Sequence, residues 1–413
     1  MTLSPRWRRA LALLPVAALG GVMYIILPAP TLTIAVHQGV EGVPLKKVAE
    51  RFCREHYNGK VKIVELDYDG LYAAEWSAVT GEDAPYPFTA PPRFDVIMLD
   101  DPWLPAFAGD VEPLDARQLT GATGGDGMGD FPQPCRDVCR RNGAYYAMPF
   151  SGNSQLLCRT ADVPQPVGWN DLTSLPNTSD RLGYAMRLGP GNSVVTDFLP
   201  ILWSVAPESF RGDYSVHDPQ KLAQAFRLFH KLAEKQHWAS AVTQDVDVAV
   251  SIALQSASTG IVWNAWAMAL QQFEQTKDKL VFEWFRDPQQ HPVLGAWLLA
   301  VPRKARHKKE AKAFIQYAIG KRQLELAADF GNPPPRISVL TEPANAKRYQ
   351  PMYNSLANAR PRPRTPCWRQ VEAAVSQALS TWREETSKEV IDALLKDLKD
   401  IQARETGNAC AVP

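Results

Sequence analysis

The sequence has no excess of charge of either sign. Its 413 residues include 45 Lys and Arg against 44 Asp and Glu, which leaves a formal net charge of +1. Nucleic-acid binders usually carry a basic excess or stripe, so this balance gives no reason to expect a nucleic-acid partner. At about 150 residues per domain, the length allows two or three domains, each with a sizeable core.

Sequence signatures of catalysis and of metal binding are also missing. Residues 152–155, Gly-Asn-Ser-Gln, do not form the G-x-S-x-G elbow of serine hydrolases. Cys135 and Cys139 are four residues apart, but no second Cys or His pair accompanies them at zinc-ligand spacing. The adjacent Asp100 and Asp101 would point apart as a glycosidase pair, so a second carboxylate would have to come from elsewhere. We expect no catalytic residues, no metal and no cofactor.

Cysteine is scarce, and its six occurrences fit an oxidising compartment without proving one. We expect some of them to form disulfides. The pairing cannot be deduced, because six cysteines allow many connectivities. They are Cys53, Cys135, Cys139, Cys158, Cys367 and Cys410.

The first thirty residues have the order of an export signal. Arg6, Arg8 and Arg9 precede an uncharged apolar stretch from Ala10 to about Leu27. This stretch exceeds the ~7–15 residues of a cleaved signal and is near the ~17 that span a membrane, which slightly favours an uncleaved anchor. The basic start predicts that everything after residue 30 lies outside the cytoplasm.

Strand and helix patterns alternate after residue 30. Residues 32–36, 61–66 and 94–99 have strand character, and residues 45–52 have apolar positions at helical spacing. This order predicts an α/β layer with a mostly parallel sheet, where ligands gather at the carboxyl ends of strands. Later strands are predicted at 145–150, 155–158, 261–263 and 294–301, and later helices at 169–172, 222–233, 246–253, 311–318, 324–328 and 368–401.

Five stretches rich in Gly, Pro or Trp follow one another along the chain. Their order and spacing resemble those of the extracellular solute-binding proteins of ABC importers, of the maltose and multiple-sugar type. The resemblance covers about residues 31–402. The stretches are Phe94-Asp95-Val96 running to Trp103-Leu104, Ala147-Met148-Pro149-Phe150 with Gly152-Asn153, Gly260 to Trp266, Leu294 to Trp297, and Gly331 to Arg336.

The resemblance implies an α/β protein with the two-lobe periplasmic binding protein type II fold. It has a hinge and an interlobe cleft, and here a signal or anchor helix at residues 1–30 precedes it. Lobe one would take residues 31–150 and 297–335, and lobe two residues 151–296 and 336–413. The chain would cross between the lobes near residues 149–153, 295–297 and 331–336, where Gly and Pro suit a hinge.

A sugar has hydroxyls at its rim and C–H patches on its faces, so its site combines aromatic rings with Asp, Asn and Arg side chains. Strand ends and lobe junctions are where such residues are expected. The predicted ligand-binding residues are Gln38, Glu41, Asp100, Asp101, Trp103, Asn153, Trp203, Trp263, Asn264, Trp266, Gly295, Trp297, Asn332 and Arg336.

Each of these residues also has a structural interpretation. One of the two aspartates would cap the following helix with Trp103 packed beneath it. Trp263 or Trp266 would be a core residue whose indole N–H finds a backbone partner. Arg336 would form a structural ion pair. The sequence leaves these alternatives open.

The implied function is to bind a mono- or oligosaccharide in the cleft and to deliver it to an ABC permease by open–closed lobe movement. The protein is expected to act as a monomer in the periplasm or on the extracytoplasmic face of the inner membrane, where the N-terminal anchor would hold it. Three alternatives remain: another solute in the same fold, such as a glycerol-phosphate or polyamine; an anchored ligand sensor; and a secreted carbohydrate hydrolase.

Overall fold

Strands and helices alternate along the chain in the computed structural model, which describes residues 30–82, 87–121, 125–236, 245–273, 276, 279–406 and 410. The predicted signal or anchor lies, but for its last residue, outside this range. Among the described residues, no helix combines the length and the apolar character that crossing a membrane requires.

Ten strands are present in the described residues. Their bounds are β1 Thr31–His37, β2 Lys60–Leu66, β3 Ile97–Asp100, β4 Arg140–Arg141, β5 Ala144–Tyr145, β6 Met148–Ser151, β7 Gln155–Thr160, β8 Thr259–Trp263, β9 Leu280–Glu283 and β10 Trp297–Ala300.

Helices pack against the sheets of both lobes. Short 3₁₀ turns lie at Asp101–Trp103, Glu234–Gln236 and Glu384–Thr386. The α-helices of the described residues are α1 Gly42–Glu55, α2 Tyr68–Thr80, α3 Leu104–Phe107, α4 Ala116–Thr120, α5 Gln133–Val138, α6 Trp169–Ser174, α7 Asn192–Val205, α8 Pro219–Ala233, α9 Asp245–Ala253, α10 Asn264–Gln272, α11 Lys308–Ala318, α12 Lys321–Asp329, α13 Ile337–Leu340, α14 Ala346–Asn358, α15 Trp368–Thr381 and α16 Ser387–Thr406.

The first lobe is built on a mixed sheet. β1 pairs with β2 in parallel, and a parallel bridge from Ile34 to Val96 adds the segment that leads into β3. β10 lies between β3 and β6 and runs antiparallel to both. The expectation of a mostly parallel sheet therefore holds for the first three strands and is wrong for β10. The reason is that β6 leaves for the second lobe and β10 returns from it, so β10 enters from the opposite direction.

The second lobe has its own antiparallel sheet in the order β8-β7-β9. Parallel bridges from Leu182 to Ala257 and from Ala185 to Gly260 extend this sheet beyond β8. Helices α9 and α10 pack against β8, while α14 packs against β7 and β9. The sheet thus has a layer of helices around it, as expected for an α/β lobe.

Helix ends follow local sequence signals. Asp67 accepts a hydrogen bond from the Gly70 N–H at the start of α2, and Gly81 ends this helix in the left-handed conformation. Asp218 caps α8 by accepting from two backbone N–H groups. Such capping side chains satisfy N–H groups that a helix leaves unpaired at its first turn.

Three segments connect the lobes, and they lie beside one another. The Gly152 N–H donates to the Pro333 carbonyl at 2.7 Å, and the Gly295 N–H donates to the Asn153 carbonyl at 2.9 Å. A bridge between Ser154 and Leu294 continues the contact. The segments near residues 149–153, 295–297 and 331–336 therefore form one bundle of crossings.

The chain after residue 336 first contacts the first lobe and then the second. The Ile337 N–H donates to the Asp130 carbonyl, and the Ser338 N–H donates to Asp130 Oδ1, each at 2.8 Å. Helix α13 therefore packs on the first lobe, whereas α14 packs on the second. The predicted lobe boundaries remain predictions.

One disulfide joins Cys367 to Cys410, which confirms the expectation that some cysteines are bonded. Cys53, Cys135, Cys139 and Cys158 are free thiols. Burial raises the pKa of the Cys139 thiol well above its ordinary range. An inert, uncharged thiol is the consequence, because only the thiolate is a strong nucleophile.

We predict that Gly152→Ala destabilises the folded chain by about 1–3 kcal/mol. A Cβ at this position would lie 2.9 Å from Pro335 Cα and 3.1 Å from the Pro334 carbonyl oxygen, both of which are backbone atoms. Chemical denaturation measures the loss. Gly109→Ala is the matched control, because a Cβ there meets no atom within 4 Å. Equal stability of the two variants would contradict the tight packing of the crossings.

Candidate functional site

The ends of four strands converge next to the bundle of crossings. In the first lobe, β1 ends at His37 and β3 ends at Asp100, whose register partner Trp297 begins β10. In the second lobe, β8 ends at Trp263. Gly295 brings the two lobes together here: a Cβ on it would lie 2.8 Å from an atom of the Trp263 ring. The absence of a side chain at residue 295 therefore allows the indole to reach the crossing.

Four aromatic rings of the first lobe form what we call the aromatic cluster: His37, Tyr68, Trp103 and Trp297. The imidazole of His37 stacks on Trp297, with ring centroids 4.8 Å apart and an interplanar angle of 17°. Trp103 meets Trp297 edge-on at 5.9 Å, and Tyr68 lies 4.8 Å from Trp103. Trp103 is 1% exposed, so it supports the cluster from below, while His37 and Tyr68 are half-buried.

Glu41 orients the imidazole of His37. The two side chains share a hydrogen bond of 3.0 Å between Nδ1 and Oε2, and Glu41 is buried. Burial acts to lower the pKa of His37, but the hydrogen bond and the charges of Glu41, Asp100 and Asp245 outweigh it and raise this pKa above 6.5. Asp245 belongs to the second lobe, and it is connected to the junction through Trp263, whose ring approaches Gly295.

The second-lobe wall consists of Trp263 and Asp245, supported by Arg187. The indole N–H of Trp263 donates to Asp245 Oδ1 at 3.1 Å, and the Arg187 guanidinium lies 5.4 Å from the Trp263 ring. Arg187 is buried, and it bonds both Asp245 and the buried Asp197. The side chain of Asp245 is 36% exposed. Arg187 thus fixes a carboxylate that solvent can still reach.

The two aspartates after β3 are committed to an arginine. Arg362 donates to Asp100 Oδ2 at 2.8 Å, to Asp100 Oδ1 at 2.5 Å and to Asp101 Oδ2 at 2.9 Å. The Tyr68 hydroxyl also donates to Asp100, at 2.8 Å. Asp100 caps the turn that follows it by accepting from the Asp101 N–H. Asp100 and Asp101 were predicted to bind ligand, but the structure pairs both with Arg362. The cap at Asp100 agrees with the structural alternative that the sequence left open, whereas the pairing with an arginine was not foreseen.

Three predicted amide ligands hold the crossings together. Asn153 Oδ1 accepts from the Ala265 N–H at 3.2 Å, and Asn332 Nδ2 donates to the Phe150 carbonyl at 2.9 Å. Asn264 Nδ2 donates to the Gly152 carbonyl and to Ser154 Oγ, each at 3.1 Å. All three side chains are buried, so the structure gives them a positioning role beneath the site.

Four further predicted residues make no contact with the aromatic cluster or with the second-lobe wall among the contacts described above. Trp203 is 2% exposed in the core, with the guanidinium of Arg360 5.0 Å from its ring. Arg336 pairs with Asp130 at 2.8 Å and donates to the Ile319 carbonyl, which is the structural ion pair that the sequence left open. Gln38 is exposed on the loop after β1, and Trp266 is half-buried on α10.

The structure therefore brings together Glu41, Trp103, Trp263, Gly295 and Trp297, of which Trp263 is half-buried and the others are buried. Sequence reasoning missed four residues of this region: His37, Tyr68, Asp245 and Arg187. His37 had a usable signal, since it directly follows the strand predicted at residues 32–36. Asp245 and Arg187 had none, because only the fold brings their segments to the end of β8. In the described part of the chain, no three His, Cys, Asp or Glu side chains converge as a metal site.

Two α/β lobes joined by three adjacent crossings, with aromatic rings and carboxylates at the strand ends beside them, have the architecture of a two-lobed binding protein. Residues 47–352, well over half of the chain, match the family described as bacterial extracellular solute-binding protein. The chain belongs to this family. No curated protein matches it.

Solved structures share the fold at low sequence identity. One is the maltose-bound MalE3 of T. maritima, with a TM-score of 0.74 and 21% identity over 90% of this chain and 100% of that one. A solute-binding protein of Agrobacterium vitis with bound D-mannitol has a TM-score of 0.75 and 18% identity, over 92% of this chain and 99% of that one. A solute-binding protein of Thermotoga lettingae with bound α-D-tagatose has a TM-score of 0.76 and 18% identity, over 90% of this chain and 100% of that one. These similarities establish the two-lobe fold.

We predict that Asp101 makes the stability of the chain depend on pH. Burial raises the pKa of its carboxyl from 3.8 to about 7, with Arg362 opposing this effect and Asp100 adding to it. Between about pH 4 and pH 7 the folded chain binds a proton that the unfolded chain releases, so this contribution to stability falls as pH rises through that window. Above about pH 7 it is constant.

Denaturation curves of the wild type and Asp101→Asn at about pH 4.5 and about pH 7.5 measure this contribution. The variant has no carboxyl to ionise at this position. The wild type should therefore lose stability relative to the variant as the pH rises. A stability difference that stays the same at both pH values would show that Asp101 titrates normally.

Proposed function

We propose that the protein binds a sugar or sugar alcohol between its lobes and delivers it to an ABC permease. The single observation that carries this proposal is that aromatic rings of both lobes and a partly exposed carboxylate, Asp245, lie at the junction of the lobes. The His37–Trp297 stack lies on the first lobe, and Trp263 with Asp245 lies on the second. Aromatic faces suit the C–H patches of a sugar, and a carboxylate accepts strong hydrogen bonds from its hydroxyls.

The charged groups of the junction are paired with one another, which favours a neutral solute. Arg187 lies against Asp197 and Asp245, and Arg362 lies against Asp100 and Asp101. A phosphate ester would need an additional cationic group or a helix N-terminus directed at it. A polyamine would need several carboxylates without cationic partners. The described residues favour neither arrangement over a polyhydroxyl ligand.

Closure of the two lobes is the proposed mechanism. Each wall alone offers one aromatic face, and the solute is enclosed only when both walls meet it. A ligand that contacts both walls has a higher affinity for the closed arrangement, so it shifts the population toward that arrangement. The permease would then recognise the closed form on the outer face of the inner membrane.

We expect a thermal-shift screen of sugars and sugar alcohols to identify the solute. Ligand at 100 times its Kd adds about 2.7 kcal/mol to the free energy of unfolding, which raises the melting temperature. Trp263→Ala removes one wall and the hydrogen bond that orients Asp245, so this variant should lose the shift.

Trp284→Ala is the matched control for this experiment. Trp284 is also a half-buried indole of the second lobe, but it packs against Trp169 and Phe285 and donates to the Gln290 carbonyl. This variant should keep the full shift. A full shift in Trp263→Ala would show that the solute binds elsewhere.

We also propose that the protein is not an enzyme. Asp100 and Asp101, the adjacent carboxyls that a hydrolase interpretation would use, are held by Arg362. We expect oligosaccharides incubated with the purified protein to be recovered intact by chromatography. Cleavage products that disappear with Asp245→Asn would instead identify a hydrolase that uses the same junction.

A further inference from the structure

We propose that residues 360–369, which we call the arginine strap, lock the two lobes together from within and set how tightly the closed protein holds its solute. The part of this proposal that concerns affinity rests on the proposed function. The strap has the sequence Arg-Pro-Arg-Pro-Arg-Thr-Pro-Cys-Trp-Arg and runs from just after α14 into the first turn of α15.

The backbone of the strap is attached to the second lobe. The Arg360 N–H donates to the Pro292 carbonyl at 2.8 Å, and the Leu294 N–H donates to the Arg360 carbonyl at 2.9 Å. The Arg364 N–H donates to the Gly212 carbonyl at 3.0 Å. The prolines at 361 and 363 fix the backbone between these contacts, because the proline ring restricts φ.

The side chain of Arg362 crosses into the first lobe. It bonds both carboxylate oxygens of Asp100 and one oxygen of Asp101, at 2.5–2.9 Å. The three side chains are 0–4% exposed. A guanidinium that meets a carboxylate through two parallel bonds fixes direction as well as distance. This contact therefore fixes the position of one lobe against the other.

Two other arginines of the strap make the same crossing. Arg364 donates to the Asp137 carbonyl at 2.7 Å and to the Arg140 carbonyl, both in the first lobe. Arg369 pairs with Asp69, and its guanidinium lies 5.1 Å from the ring of Tyr68. The side chains of Arg362, Arg364 and Arg369 thus all reach from the strap to groups of the first lobe.

The lock is adjacent to the solute junction. Asp100 is the register partner of Trp297, and Tyr68 contacts both Asp100 and the His37 ring. Opening the lobes would separate Arg362 from Asp100 and Asp101. This separation is strongly unfavourable, because it leaves buried charges without their partners. The strap therefore favours the closed arrangement even before a solute arrives, and a pre-closed protein binds more tightly.

The test measures the distance between the lobes in the full chain without any solute. Spin labels carried by non-natural amino acids at Arg54 on α1 and Lys221 on α8, both exposed, report this distance by pulsed electron spin resonance. Arg362→Gln should lengthen or broaden the distance distribution. It should also weaken solute binding about tenfold, within the usual range of coupling between a conformational change and binding.

Arg360→Gln is the matched control on the same strap. Its guanidinium faces Trp203 and the Pro207 carbonyl within the second lobe, so it bridges nothing. This variant should leave the interlobe distance unchanged. If Arg360→Gln lengthens the distance as much as Arg362→Gln does, the cause is a general loosening of the strap and not the loss of the contact with Asp100 and Asp101. That outcome would overturn the proposal.

If Arg362→Gln leaves the buried carboxylates too unstable to fold, the variant Asp100→Asn/Asp101→Asn/Arg362→Gln removes all three charges together. A folded triple variant with the wild-type distance distribution overturns the lock. A longer distance supports it. Because the distance is measured without ligand, a wrong assignment of the solute leaves this result intact, and loss of the lock does not affect the identity of the solute.

Discussion

The hydrogen bonds between the interlobe crossings are the constraint on which the rest of the structure depends. A buried backbone N–H or C=O group must find a partner, and the crossings find theirs in one another, as Gly152 does with Pro333 and Gly295 with Asn153. The side chains of Asn264 and Asn332 satisfy neighbouring carbonyls. The position of this bundle in turn decides where the strand ends of both lobes meet, and hence where a solute is enclosed.

The sequence predicted the elements and the family more completely than the site. Strands at residues 32–36 and 155–158 and helices at 222–233 and 311–318 were found because each has a regular apolar period. Helices α2, α7 and α14 were not predicted. In α2 the apolar residues do not gather on one face, and α7 and α14 each contain a proline, Pro200 and Pro351. Features of this kind weaken the apolar periodicity by which a helix is recognised in a sequence, although tertiary packing still stabilises the helix.

Part of the candidate site could not be inferred from the sequence. Trp263 and Trp297 lie at strand ends beside the junction, which their positions along the chain were sufficient to predict, while their contact with a solute stays a prediction. Asp100 and Asp101 have the residue types of sugar ligands, yet an arginine 261 residues after Asp101 occupies them. No local pattern reveals such a partner. A side chain's availability to a ligand depends on what the fold brings next to it, and the residue type alone does not settle it.

The disulfide between Cys367 and Cys410 joins residues 43 positions apart and encloses α15 and α16 in one covalent loop. Closing a loop of this length reduces the freedom of the unfolded chain by an amount equivalent to roughly 4 kcal/mol in the chain-entropy description. Thiols in the bacterial cytoplasm stay reduced, whereas those outside it oxidise. At the extracytoplasmic location that goes with the proposed function, the crosslink would therefore form only after the chain has left the cytoplasm, and until then packing alone would hold the two terminal helices in place.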